Sequence, residues 1–258
     1  MTSISADKKK KGGGKIRLWA VLFWLLVWQG ASMAIGQEIL LVSPVSVIKK
    51  LFELIPTGEF WSSILFSAAR ILGGFLLAAG LGALLAALAA KSKRAEELLA
   101  PAVLTIKAVP VASFIILVLI WISSRNLSVC ISFLMVFPVI YTNTLNGIRR
   151  TDRELLEMAG VFRMSPWAKL WYIYIPQVMP YFRAGCSVGL GLCWKAGTAA
   201  EVIGIPDHSI GEKLYNAKVY LNTSELFAWT LVIVLTSLLF EKIFLAVLDG
   251  LTAKLERM

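Results

Sequence analysis

Apolar positions along the chain gather into long blocks separated by short polar segments. Six stretches are apolar nearly all round, at roughly 17–36, 61–90, 101–123, 127–147, 177–201 and 226–248. A helix needs about 20 mostly apolar residues to cross a bilayer core, so each stretch predicts a transmembrane helix. The block 61–90 is long enough to tilt or to project beyond the membrane. Prolines fall chiefly at block ends, with Pro101 near a start, Pro176 and Pro180 before the fifth block and Pro206 after it. Pro110 and Pro138 fall inside blocks, where a kink is tolerated if neighbouring groups satisfy the freed carbonyls. Two glycine sets, Gly73/Gly74/Gly80/Gly82 and Gly185/Gly189/Gly191, predict helix faces of close approach. The pattern predicts an all-α integral membrane protein of about six transmembrane helices.

Composition agrees. Of 258 residues, 58% are hydrophobic and 16% charged, where a soluble domain has about 45–50% and about 25%. Cys130, Cys186 and Cys193 lie in apolar runs without a CxxC pair, which excludes a cysteine zinc or redox motif. His208 is the sole histidine, so neither a histidine metal site nor a Ser-His triad is expected, and no cofactor is.

The net charge of +10 raises nucleic acid or an anionic membrane as partners, and its distribution decides. With the amino terminus placed inside, sixteen Lys and Arg fall in the inner segments (1–17, 91–94, 149–169 and 254–257) and five in the outer ones, Lys49, Lys50, Arg125, Lys213 and Lys218. The positive-inside rule then puts both termini in the cytoplasm, and the charge needs a lipid bilayer but no nucleic acid. Residues 1–16 read as a basic cytoplasmic tail, 17–36 as the first transmembrane helix, and 37–60 as an extracytoplasmic loop with a short amphipathic segment. Residues 61–248 read as the membrane core and 249–258 as a cytoplasmic tail. The start also resembles a signal peptide, with Lys8–Lys11 before an apolar core and small residues near Ser32–Ala34. An uncleaved anchor fits the charge count without adjustment.

Ionisable residues inside apolar blocks are functional candidates. Lys107 and Arg183 lie near cytoplasmic ends, within reach of the interface, and Arg70 suits a packing or pairing role. Lys195, Thr198 and Glu201 fall deep in the fifth block. Lys195 and Glu201, six apart, point to different faces. Each needs a partner on another helix, a water-filled cavity or a solute, so a translocation-pathway role and an interhelical bond both stand.

The inner segment Thr151–Pro176 carries the most local information. Thr151-Asp152-Arg153-Glu154 has capping-box spacing, predicting a helix over 152–163 whose apolar face holds Leu155, Leu156, Met158, Ala159 and Phe162. Ser165-Pro166 is a restart signal, predicting a second short helix over 166–174 that ends before Pro176. On pattern alone this is an amphipathic loop. Its residues also resemble the EAA loop of type I ABC importer permeases, which has E-A-A, three residues, Gly, and Pro thirteen positions on. Glu157 and Ala159 match, Met158 replaces the middle alanine, Arg163 stands at the glycine position, and Pro176 follows it by thirteen. A glycine there supplies a left-handed residue, and a non-glycine costs about 1 kcal/mol. Arg163 alternatively offers a polar contact to the ATPase.

Phe60–Phe75, Lys107–Trp121 and Trp194–Gly204 are similar to the nitrate/sulfonate/taurine branch of these permeases, in matching order over roughly 44–250. The resemblance implies a non-catalytic homodimeric permease in a bacterial plasma membrane, each copy engaging one cytosolic ATPase subunit and fed by an extracytoplasmic binding protein. It implies a small anion such as a sulfonate or nitrate as solute, although related permeases also serve vitamin precursors. It marks 149–176 as the coupling loop, with Glu157, Ala159, Gly160, Arg163, Ser165 and Trp167 as ATPase-coupling residues. The chain carries no GxxxxGK[ST] loop, so ATP binding belongs to a separate subunit. A secondary transporter predicts internal repeats and an intramembrane enzyme clustered acids or histidines; the sequence has neither pattern.

Overall fold

The computed structural model describes residues 18–255, in which every regular element is helical. In chain order these are α1 (Leu18–Ile35), α2 (Pro44–Leu54), α3 (Gly58–Lys91), α4 (Lys93–Ala108), α5 (Val111–Leu119) and α6 (Ser124–Arg149). There follow α7 (Arg153–Val161), α8 (Pro166–Lys169), a π turn (Leu170–Tyr174), α9 (Ile175–Gly204), α10 (Ile210–Val219) and α11 (Thr223–Leu255). The basic tail expected over 1–16 lies outside the described residues. Side-chain oxygens set the starts: Ser43, Thr57 and Ser92 accept from the N–H of Ser46, Phe60 and Ala95.

The core is a triplet in which α6 lies against both α3 and α9. Two glycines allow this. A Cβ on Gly74 would stand 2.3 Å from the Val129 carbonyl oxygen, and one on Gly197 would stand 2.7 Å from Ser132 Oγ. Ser132, between the two helices, donates to the Cys193 carbonyl at 3.3 Å. Ile71, Phe75, Val136, Ile140, Leu190 and Trp194 fill the space between the helices. The glycine sets are only partly interface: Gly82, Gly185 and Gly189 meet neighbours, whereas Gly73, Gly80 and Gly191 face open space.

α11 flanks this triplet and packs Trp229 on Phe60, ring centroids 5.2 Å apart. α1 stands almost wholly exposed, tied by Trp28 Nε1–H to the Val42 carbonyl (3.0 Å) and by the Ser32 hydroxyl to the Leu41 carbonyl (2.9 Å). An apolar helix with so little protein cover suits lipid contact.

Among the described residues four helices are long and apolar enough to cross a membrane: Leu18–Ile35, Gly58–Lys91, Ser124–Arg149 and Thr223–Thr252. The number rises to five if α4 and α5 form one broken span. The expected count of six is therefore not reached on length and apolarity. α9, on the fifth predicted block, is long enough with 30 residues, but its glycines and Arg183, Lys195 and Glu201 lower its apolarity.

The continuous helix expected over 101–123 does not form. α4 stops at Ala108, Val109 and Pro110 are extended, and α5 departs at 105°. Proline removes an N–H and drives the preceding residue out of the helical region, so the chain breaks at Val109-Pro110 where only a kink was expected. Pro101 lies inside α4, and its carbonyl accepts the Thr105 hydroxyl at 2.8 Å. At the carboxyl end, helix continues through Leu255, past the end of the last apolar block at 248.

Ionisable side chains also bond across helices. Lys107 Nζ donates to Thr142 Oγ1 at 2.9 Å, and Arg183 pairs with Asp249, one of its two bonds being 2.9 Å. Arg149 on α6 pairs with Glu96 on α4, and Lys213 on α10 with Glu59 on α3.

Candidate functional site

The segment between α6 and α9 is built by local backbone chemistry. Asp152, not Thr151, caps α7: its carboxylate accepts the Glu154 N–H at 2.9 Å. Thr151 instead turns its hydroxyl back to the Gly147 carbonyl. The Asp152 N–H donates to Gln177 Oε1 at 2.7 Å, which ties the start of α7 to α9. At the other end Arg163 has φ 50, in the left-handed region. Met164 N–H reaches the Ala159 carbonyl and Arg163 N–H the Gly160 carbonyl, both at 3.0 Å. This is a Schellman motif, so Arg163 carries the conformation expected at the glycine position.

Ser165 accepts the Ala168 N–H at 3.2 Å and Pro166 opens α8. The second short helix does not stop before Pro176, however. α8 passes through the π turn directly into α9, with Ile175 N–H bonded to Leu170 O, five residues back. The wider π register accommodates the proline that would clash in an α-helix. Behind the turn lies an apolar cavity of about 630 Å³, bounded by Ala87, Ala90, Thr144, Leu170, Tyr174 and Phe182. The junction between segment and bundle is thus not packed solid.

Glu157 is exposed and pairs with Arg153 at 3.1 Å, a surface pair worth a few tenths of a kcal/mol at most. Gly160, Arg163 and Ser165 are exposed too, and Trp167 is 71% exposed. Ala159 differs: it is fully buried, so it seats α7 on this chain and offers nothing outward. Val161 (81% exposed) and Phe162 (74%) do project outward. Sequence reasoning placed Phe162 on one apolar face with Ala159 and left Val161 out.

Lys195, Thr198 and Glu201 do not share a face. Lys195 is exposed and makes no hydrogen bond or ion pair among the described residues, while Thr198 and Glu201 are buried. Glu201 Oε2 accepts from Ser67 Oγ at 2.6 Å and from the Gly211 N–H at 3.4 Å, and Ser67 Oγ accepts the Ile210 N–H at 2.9 Å. A carboxylate from α9 and a hydroxyl from α3 therefore hold the first two N–H groups of α10, where a negative charge is favoured. Gly211 makes the contact possible, since a Cβ there would lie 2.3 Å from Glu201 Cβ. Sequence reasoning missed Ser67 and Gly211.

A helical bundle with long apolar helices, and an exposed apolar segment at one end joined directly to a core helix, defines a multi-span membrane protein. Residues 61–257 match the family of binding-protein-dependent transport system inner membrane components, and the chain belongs to that family. It is similar to a permease protein of Bacillus subtilis named for aliphatic sulfonates transport, 29% identical over 88% of this chain and 84% of the relative. It is also similar to the riboflavin transport system permease protein of Chloroflexus aurantiacus, 27% identical over 71% and 69%. The nitrate import permease protein of Synechococcus elongatus is 28% identical over 75% and 73%. The chain is thus a membrane-embedded transport subunit of an ABC importer, without a catalytic role of its own.

Proposed function

We propose that this chain forms the translocation pathway of an importer for a small anion, a sulfonate, nitrate or similar oxyanion. It works as a homodimer, each copy seated on one cytosolic ATPase subunit, and takes its solute from an extracytoplasmic binding protein. Both termini and residues 149–176 face the cytoplasm of a bacterial cell, as the sixteen-to-five basic asymmetry favours. Two of the three relatives described above are named for anions, which supports the choice of solute.

The observation that carries the reading is the outer surface of 149–176. Val161, Phe162 and Trp167 expose apolar area on the segment that also bears Glu157, Gly160, Arg163 and Ser165. Apolar side chains held rigidly on a water-facing segment mark a partner site. The π turn and the cavity behind it let a push on α8 reach α9. In this account Phe162 and Trp167 enter an apolar groove on the ATPase, Glu157 adds a polar bond at its edge, and Gly160 admits close approach. Ala159 serves only to seat α7. Lys195, exposed and unpaired on α9, faces the pathway or the second copy; Thr198 and Glu201 stay structural.

The test uses Phe162→Asp and Glu157→Ala. Neither side chain supports the bundle, so both variants insert normally. Phe162→Asp loses co-purification with the ATPase and solute-stimulated hydrolysis, and Glu157→Ala weakens both. Wild-type binding and stimulation in both variants refute the coupling role.

A further inference from the structure

At the end of the bundle opposite the 149–176 segment, a cavity of about 240 Å³ is lined by Phe66, Ser124, Arg125, Pro206, Asp207 and His208. It is recessed. The first turn of α6 meets α3 not at its tip but at Arg70, twelve residues past Gly58, or about 18 Å along the helix at 1.5 Å per residue. Arg70 donates its Nε–H to the Arg125 carbonyl and lays its guanidinium over the Phe66 ring, 3.5 Å from the centroid. Arg125 therefore lines the cavity and Arg70 stands behind its backbone, and neither arginine forms an ion pair among the described residues.

The opposite wall is strained. Ile205 (φ 45) and His208 (φ 62) are both left-handed without being glycine, at about 1–2 kcal/mol each, and for a β-branched residue this is an outlier. What holds the strain is α10, anchored beneath the loop by Glu201 and Ser67, together with the His208 N–H donated to Glu212 at 2.6 Å. Strain of this kind gathers at ligand clamps. Here it fixes Asp207 and His208 against the arginine side.

We propose that this cavity is a receiving site for a small oxyanion, with Arg125 as its principal ligand. The guanidinium fork matches two oxygens of a sulfonate, nitrate or phosphate group. Ser124 and His208 supply further polar contacts, and Arg70 adds positive charge from behind. At roughly 30 Å³ per water, the volume equals about eight waters, enough for such an ion and part of its hydration. The Asp207 carboxylate opposes the anion and holds binding weak, as a transfer site requires. The proposal rests on the reading of the chain as a small-anion importer. Its shared chemistry, an oxyanion on a guanidinium, would also fit a phospholipid headgroup.

Phenylglyoxal labelling of the full chain in nanodiscs separates these sources. Arg125, exposed and unpaired, reacts readily, and mass spectrometry follows it beside Arg153, which is exposed on α7. Sodium methanesulfonate or sodium nitrate, against sodium chloride of equal ionic strength, slows labelling of Arg125 severalfold in purely zwitterionic lipid and leaves Arg153 unchanged. Protection that appears only when phosphatidylglycerol is present, and not with the soluble anions, assigns the site to lipid and overturns the proposal. In the reconstituted importer, Arg125→Gln raises the KM for anion uptake about tenfold or more, as loss of a charge-assisted bond implies, and Arg125→Lys restores part of it. Asp207→Asn shifts KM the opposite way, a few-fold lower. Unchanged KM in Arg125→Gln and Asp207→Asn together overturns the site. If the wild-type importer moves no anion, the assigned solute fails, while the labelling result still judges the cavity by itself.

Discussion

Substituting Gly211 by alanine tests how tightly α10 is held on the bundle. The new Cβ would lie 2.3 Å from Glu201 Cβ, 2.4 Å from Glu201 C and 2.6 Å from Val202 N. Two of these three atoms are backbone, so no side-chain rotation relieves the clash, and α10 must lift away from α9. Overpacking costs about 1–3 kcal/mol, and immovable backbone places this case near the upper end. The gain in helix propensity from glycine to alanine returns about 1 kcal/mol. The net destabilisation is therefore about 2 kcal/mol, which for a chain of this size lowers Tm by about 4–8 °C. Cys186 and Cys193 are buried, so a thiol-reactive dye reports unfolding of the purified chain directly. Gly160→Ala, with nothing within 4 Å of the added Cβ, is the control and should not lower Tm. A Gly211→Ala protein as stable as wild type would refute the close docking of α10 on Glu201.

Arg163→Gly removes the left-handed strain at the end of α7 and should stabilise the chain by about 1 kcal/mol, read as a higher Tm; a lower Tm would mean that the arginine side chain itself holds the turn. Ala159→Trp, at a fully buried position, should reduce folded yield as well as coupling, measured by monodisperse recovery from membranes. Lys195→Met should reduce transport while assembly with the ATPase stays intact, and unchanged uptake would remove the lysine from the pathway. Membrane-impermeant thiol labelling from outside should reach a cysteine placed at His208 and miss one at Lys169, and the reverse pattern would invert the topology.

Much of the architecture was legible because bilayer helices announce themselves by length: the blocks at 61–90, 127–147 and 177–201 lie within α3, α6 and α9. Pro110 was legible as a perturbation but not as a 105° break, because a helical block in sequence does not reveal whether neighbours will hold a kinked helix straight. Pro176 misled in the other direction, since a π turn absorbs a proline that pattern reads as a stop. At the candidate site, the left-handed residue at Arg163 followed from its motif position. The inward turn of Ala159 and the outward turn of Phe162 did not, because a nine-residue amphipathic helix leaves its rotation open by a large part of a turn. The Glu201–Ser67 bond joins residues 134 apart. Periodicity within one helix carries no information on such a pair.

The central claim is that 149–176 seats on the ATPase, and a photo-crosslinker tests it most directly. Benzoylphenylalanine replaces Phe162, exposed at the end of α7, and separately Leu65, exposed near the opposite end of α3. The assembled importer is irradiated in membranes and the adducts identified by mass. The account predicts a covalent adduct with the ATPase subunit from position 162 and none from position 65. An adduct from position 162 to lipid or to this chain alone, with no ATPase captured, would contradict it.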